Sequence, residues 1–285
     1  MAEGLQTSMD DKEQCALSPA MTFFSASTCD GGEERILTIE SLEDFEHLCK
    51  ITDEVVTIFD WDDTLCPSHY IRSAVEPCLK GARSISPDSP IYGPLCAHAG
   101  LVAATLRAAR AIGKVAIVTL AQRGWVHDSA ARFLPGLDLQ VLLDELDIPV
   151  YYAFEHVHKS VARLIRMPRT ASRMRAQGTD VQKGCKRAAM EKCLRRMWRK
   201  RHVRLNVISI GDSTAERDAI KEIMWFPACA GLPSLEHLCK TIKLAEDPTL
   251  EELGGQLRSL SSWLPKMVDC LVDADIDLAA EVKHQ

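Results

Sequence analysis

The sequence predicts an α/β fold with a doubly wound, mostly parallel sheet and helices on both of its faces, on two observations. Short, apolar, β-branched runs recur along the chain, the pattern of strands buried on both faces. Helical apolar periods fill the intervals between them, the alternation that crossovers between parallel strands require. With 285 residues, 46% apolar and 26% charged, the composition is that of a globular protein with a sizeable core.

Taken in order, residues 1–34 are rich in Ser, Thr, Gly and Asp, show no apolar period, and read as a flexible N-terminal extension. A core domain is expected over 35–245. It begins with a helix to about Lys50, signalled by Ser41 and Asp44 at its start and by Leu42, Phe45 and Leu48 at helical spacing. The first strand is 55–59. A helical stripe of Val102, Leu106 and Ala109 stops at Gly113 and leads into the second strand, 115–118. The third and fourth strands are 149–154 and 205–210, a helix marked by Ala219, Ile220 and Ile223 follows, and 241–244 is a further strand. The Pro- and Ser-rich stretch 84–94 reads as a loop. Over 246–285 a C-terminal helical segment, capped by Thr249 and Glu252 and running to about Leu271, is expected to pack on the core.

The formal charge of −6 excludes an overall basic field that would draw the chain to nucleic acid or membrane. The charge is unevenly spread, however. Within the basic segment 156–204, sixteen Lys and Arg residues face two acids, Asp180 and Glu191. Trp198 is the one tryptophan among them, poor support for base stacking, so a solvated face is the simpler reading of the segment. Eleven cysteines without zinc-ligand spacing point to reduced thiols. Residues 1–13 lack the order of a signal peptide, and no uncharged apolar run approaches the ~20 residues of a membrane helix, so a soluble, cytoplasmic protein without a membrane partner is expected.

In such a sheet ligands bind at the carboxyl ends of the strands, and three of the apolar runs end in polar groups. The first ends in Asp60-Trp61-Asp62-Asp63-Thr64, the second in Thr119, and the fourth in Gly211-Asp212, with Glu216 one helical turn on. A carboxylate cluster of that density calls for a cation, and oxygen donors favour Mg²⁺. Met190, Cys193, Leu194 and Met197 form an inward helical stripe, with Lys186 one turn before it on the same face. If that helix runs antiparallel to the strands, Lys186 points into the acidic edge, with Lys183 as the alternative. Turn acids would account for Asp60 and Asp62 without chemistry, and an N-cap role for Asp212. His156 and His158 lack a third ligand in register, which leaves no metal site there.

Asp60-x-Asp62-x-Thr64, Thr119, Lys186 and Asp212-x-x-x-Glu216, in that order and context, resemble the four motifs of the haloacid dehalogenase-like (HAD) superfamily over about residues 52–225. The paired first-motif aspartates resemble its phosphatase branch. The resemblance implies a Rossmann-like core and an Mg²⁺-dependent phosphohydrolase. Asp60 would be the nucleophile that forms an aspartyl-phosphate, and Asp62 the general acid and base. Mg²⁺ would be held by the Asp60 carboxylate, the Asp62 main-chain carbonyl and Asp212. Thr119 and Lys186 would bind the phosphoryl oxygens, and Glu216 would orient Lys186 or a metal-bound water. Thr64 would border the phosphoryl site and fix the first loop by hydrogen bonding. Glu216 stands where many relatives carry Asp, and Leu120 where a small or amide residue is frequent.

The intervals where that family inserts a cap, 66–96 and 156–180, are too short for a full cap domain, which implies an open site for a large or exposed phosphorylated substrate such as a phosphoprotein. Two other readings stay open in the sequence: a non-catalytic relative that binds a phosphorylated partner, and a nucleic-acid-directed phosphatase or binding module that uses the basic segment.

Overall fold

The computed structural model describes residues 53–79, 85–156, 178–198, 203–225 and 237–278, without the side chains of 178–180. The expected extension, the helix to Lys50, most of the basic loop and His158 lie outside them. The described strands are β1 (Glu54–Phe59), β2 (Lys114–Thr119), β3 (Val150–Tyr152), β4 (Leu205–Gly211), β5 (Leu238–Lys243) and β6 (Ala274–Asp277). They form one sheet in the order β3-β2-β1-β4-β5-β6, and every neighbouring pair is parallel. This is a doubly wound, Rossmann-like α/β sheet, and the direction of winding reverses between β1 and β4.

Among the described residues, seven helical elements accompany the sheet besides a short 3-10 turn. The irregular α1 consists of helical turns Ser68–Tyr70 and Glu76–Leu79 around a π-helical turn, Ile71–Val75. The others are α2 (Tyr92–Ile112), α3 (Trp125–Phe133), α4 (Leu139–Glu145), α5 (Gly178–Met197), α6 (Thr214–Trp225) and α7 (Leu250–Asp269).

Side-chain alternation along each strand splits the apolar residues into two cores. Val55, Phe59, Val115, Ile117, Ile208 and Ile210 pack with α2, α3, α4 and α7. Val56, Ile58, Ala116, Val118 and Val207 pack with α5 and α6. Two-sided burial explains why the strand sequences are nearly continuous apolar runs rather than alternating ones. By length and composition α2 is apolar enough to cross a membrane. Here its stripe, Leu95, Val102 and Leu106, is buried in the first core, as in a core helix.

The direction of α5 is set by two contacts with β2. Lys186 Nζ donates to Val118 O at 2.8 Å near the end of the strand, and Lys114 Nζ, at its beginning, donates to Met197 O at 2.5 Å. The helix therefore runs antiparallel to the sheet, with its earlier turns at the carboxyl edge. Met190, Cys193, Leu194 and Met197 are all buried, as the stripe requires.

Four boundaries differ from the sequence expectation. Strand β5 begins at Leu238 rather than 241, because Lys240, which interrupts the apolar run, is hidden inside the fold. The third strand ends at Tyr152 and turns into a 3-10 helix, Ala153–Glu155. The loop ends at Ile91 rather than Pro94, since proline is tolerated in a helix's first turn, where its missing N–H would have no partner. The C-terminal segment is more than a helix. After α7, whose Thr249/Glu252 capping box is present, the chain adds the edge strand β6. Its Asp275 pairs with Lys221 and accepts from Thr241 Oγ1, so an acidic stretch within the expected helical segment finds its partners in the assembled sheet.

Gly113 ends α2 as expected, but not through a left-handed turn; its φ of 177° is extended backbone. A Cβ there would stand 2.5 Å from Val55 O, so glycine is needed for the close approach of this chain reversal to β1.

Lys240 is fully buried and donates to Asn206 Oδ1 at 2.9 Å and Met267 O at 2.5 Å, neither of them a carboxylate. Burial lowers its ammonium to about 8. A lysine lowered in the folded state costs stability below that value, and the deficit disappears as pH rises towards its unfolded value. The stability of wild type relative to Lys240→Met should therefore rise by about 2 kcal/mol between pH 7 and pH 10, read from urea unfolding of the two proteins side by side. Comparison with the variant cancels the buried thiols, which act in the opposite direction.

Candidate active site

The site is built on the strand ends at the winding reversal. β1 and β4 are paired in register from Glu54 and Leu205 to Phe59 and Ile210, so the residues that follow, Asp60 and Gly211-Asp212, emerge side by side. The Asp60 N–H donates to Ile210 O at 2.9 Å, which extends the pairing by one residue and fixes the Asp60 backbone. Thr119, the last residue of β2, adds a third strand end.

Lys186 joins these ends. It is completely buried, its Nζ 2.6 Å from Asp60 Oδ1 and 2.8 Å from Glu216 Oε1, with the bond to Val118 O as its third contact. The two carboxylates raise its ammonium to about 12 against the downward pull of burial. Burial raises Glu216 too, but Lys186 and the Ser213 hydroxyl outweigh it and hold that acid below its ordinary value. Lys183 is turned elsewhere and pairs with Glu222 at 2.8 Å, so of the two candidate lysines only Lys186 reaches the acidic edge.

The longer reach of Glu216 is accommodated by Gly211. A Cβ on that residue would lie 2.7 Å from Glu216 Cγ and 3.0 Å from Oε2. The glycine before Asp212 thus makes the space through which Glu216 meets Lys186.

One ammonium does not balance the acids. Burial, then Glu216, pushes Asp212 up to about 7, and burial pushes Asp60 well above the carboxylate range although Lys186 opposes it. Carboxylate oxygens of Asp60, Asp212 and Glu216 lie within 4.8 Å of one another. Octahedral Mg²⁺, with bonds of about 2.1 Å, spaces its ligands by roughly 3 to 4.2 Å, a spacing that small side-chain adjustments of this cluster would reach. Asp60 Oδ1 is closed to solvent and receives the lysine charge without an aligned N–H bond. The Asp62 carbonyl accepts no hydrogen bond from the described residues, while the neighbouring Trp61 carbonyl takes those of the turn. An all-oxygen set with surplus negative charge suits a hard divalent cation. Glu216, expected to orient Lys186 or a metal-bound water, pairs with Lys186 and lies in the same carboxylate cluster as Asp60 and Asp212.

The remaining predicted residues fall as follows. Asp62 is partly exposed, and its Oδ1 accepts from Ser68 Oγ at 2.5 Å and from Trp125 Nε1 at 2.8 Å. Thr119 Oγ1 accepts from Ala121 N at 3.0 Å, which leaves the hydroxyl proton for another acceptor. Thr64 corrects the expectation: its Oγ1 is buried without a hydrogen-bond partner among the described residues, so the side chain does not tie the first loop. Backbone bonds do so instead, from Leu65 N and Cys66 N to Trp61 O and from Asp63 N to Cys66 O. Asp63 takes a left-handed φ of 49°, which Asp tolerates, and accepts from His69 N at 2.6 Å at the start of α1.

Sequence reasoning missed Ser68, Trp125, Ser129 and Ser213. Ser213 carries a local signal, as a hydroxyl just before a helix, and its Oγ accepts from Ala215 N. Trp125 lies 63 residues from Asp62 and carries none. A surface hollow of about 570 Å³, lined by His127, Gly136, Leu137 and Gln140, shares no residue with the site.

The raised Asp212 and Asp60 predict a pH-dependent response to metal. Below about pH 5 the Asp212 carboxyl is protonated, and above pH 7 its ionisation costs folding energy that a bound cation relieves. Mg²⁺ should raise Tm at pH 7.5 and much less at pH 5, with the increment reduced in Asp212→Asn; differential scanning calorimetry checks both. No protein-family model, no curated protein and no solved structure matches the chain.

Proposed function

We propose that the chain is an Mg²⁺-dependent phosphohydrolase of the HAD-like type that works through an aspartyl-phosphate on Asp60. The observation that carries this reading is the Lys186 ammonium held between Asp60 and Glu216, beside Asp212 and Thr119, at the carboxyl edge where winding reverses. An unpaired acidic turn would need none of these partners.

In this reading an Asp60 carboxylate oxygen attacks phosphorus in line as the bond to the leaving oxygen breaks. Asp62 gives its proton to that oxygen and later takes one from the water that hydrolyses the acyl phosphate. Lys186 and the Thr119 hydroxyl hold the phosphoryl oxygens. Their fixed positions supply charge stabilisation without reorganisation, generally a larger contribution than proton transfer alone. Glu216 keeps the ammonium aimed at Asp60. The Asp60 carboxylate, the Asp62 carbonyl and Asp212 would hold Mg²⁺, with Glu216 close by. The ion supplies the positive charge that lets a dianionic phosphate approach a cluster of carboxylates.

The described part of the interval 66–96 is α1 and the start of α2, not a separate cap. This supports an open site that takes an exposed phosphate on a large substrate, such as a phosphoprotein. The test is hydrolysis of p-nitrophenyl phosphate with Mg²⁺ by wild type and Asp60→Asn prepared identically. Wild type should turn over, and the variant should lose at least about a thousandfold in kcat, since no nucleophile remains. Equal activity in both proteins would overturn the nucleophile assignment.

A further inference from the structure

The carboxylate of Asp62 is held on one side only. Ser68 Oγ, from the first turn of α1, and Trp125 Nε1, from the first turn of α3, both donate to Oδ1. A carboxylate oxygen offers two in-plane lone pairs, so Oδ1 is saturated by these two donors. Among the described residues no hydrogen bond reaches Oδ2, and Asp62 is partly open to solvent on the substrate edge.

The two donors are themselves fixed. Ser68 is buried. Trp125 follows Gly124, whose φ of 94° turns the chain into α3. One helical turn later Ser129 donates to Trp125 O at 2.6 Å and accepts from Trp61 Nε1 at 2.9 Å. The first loop and α3 are thus joined by reciprocal indole bonds: Trp61 of the loop reaches Ser129 of the helix, and Trp125 of the helix reaches Asp62 of the loop. Trp61 is fully buried, which anchors the pair.

We infer that Ser68 and Trp125 are positioning residues for Asp62, which hold Oδ1 so that the exchangeable proton resides on Oδ2 and faces the leaving group. The inference rests on the phosphohydrolase reading. In the first step the Oδ2–H bond breaks as the proton passes to the leaving oxygen, the bond from that oxygen to phosphorus breaks, and the Asp60–phosphorus bond forms. With both donors on Oδ1, the resulting carboxylate is already hydrogen-bonded and neither donor has to move. Losing one donor frees the carboxyl to rotate and lets the proton occupy the wrong oxygen.

The consequence depends on the leaving group, which a merely structural role would not. Dinitrophenolate departs without a proton, whereas phenolate needs one. Trp125→Phe keeps an aromatic side chain but loses the N–H-bearing ring of the indole, and Ser68→Ala removes only the hydroxyl. Each variant should lower kcat/KM for phenyl phosphate roughly tenfold or more while leaving that for 2,4-dinitrophenyl phosphate within about twofold, the double variant showing the larger effect. Because both substrates are measured on one preparation with Mg²⁺, their ratio does not depend on the fraction of protein folded. An unchanged ratio in both variants, with active wild type, overturns the positioning role and leaves the phosphohydrolase reading intact. Failure of wild type to exceed Asp60→Asn on dinitrophenyl phosphate overturns that reading, and this inference with it.

Discussion

The buried ammonium of Lys186 is the constraint on which the arrangement depends. Removing a lysine from water costs several kcal/mol, and its carboxylate partners carry a desolvation cost as well, so the group is tolerable only with close polar contacts. It has them on three sides, from Asp60, Glu216 and Val118 O. Each contact imposes a condition elsewhere. α5 must run antiparallel to the strands, Gly211 must lack a Cβ, and β1 and β4 must be neighbours in register. A pair of well-packed apolar side chains would meet the needs of stability as well.

Charge at the site is deliberately unequal. Lys186 restrains Glu216 and partly restrains Asp60, but among the described residues no cation pairs as closely with Asp212, whose carboxyl rises to about 7. The sheet can hold this excess because its two apolar cores, rather than the polar edge, carry the hydrophobic stabilisation. Strand ends thereby present reactive groups from a rigid base, while the helices α1 and α3 reach over the first loop and set the direction of Asp62.

Much of the fold was legible in the chain. The strand runs at β1, β2 and β4 are long, apolar and β-branched, so local pattern and tertiary role agree. β6 and the beginning of β5 were not legible, because Asp275 and Lys240 break the apolar pattern and find their partners in distant elements. At the site, Asp60, Asp62, Thr119, Asp212 and Glu216 were legible because they terminate recognisable strands or lie one turn beyond. Lys186 was legible through helical phase, and only the fold separated it from Lys183, which meets Glu222 instead.

The sequence by itself determined the α/β class, the polar strand ends and the lysine phase, because these follow from periods of two and 3.6 residues that local sterics impose. The tertiary structure alone decided which acids share one space, that the Thr64 hydroxyl finds no hydrogen-bond partner among the described residues, that Glu216 fits over Gly211, and that Trp125 and Ser68 converge on one oxygen of Asp62. Those outcomes depend on contacts between residues far apart in the chain, whose distances are fixed by the packing of helices on a parallel sheet and leave no periodic trace in the order of amino acids.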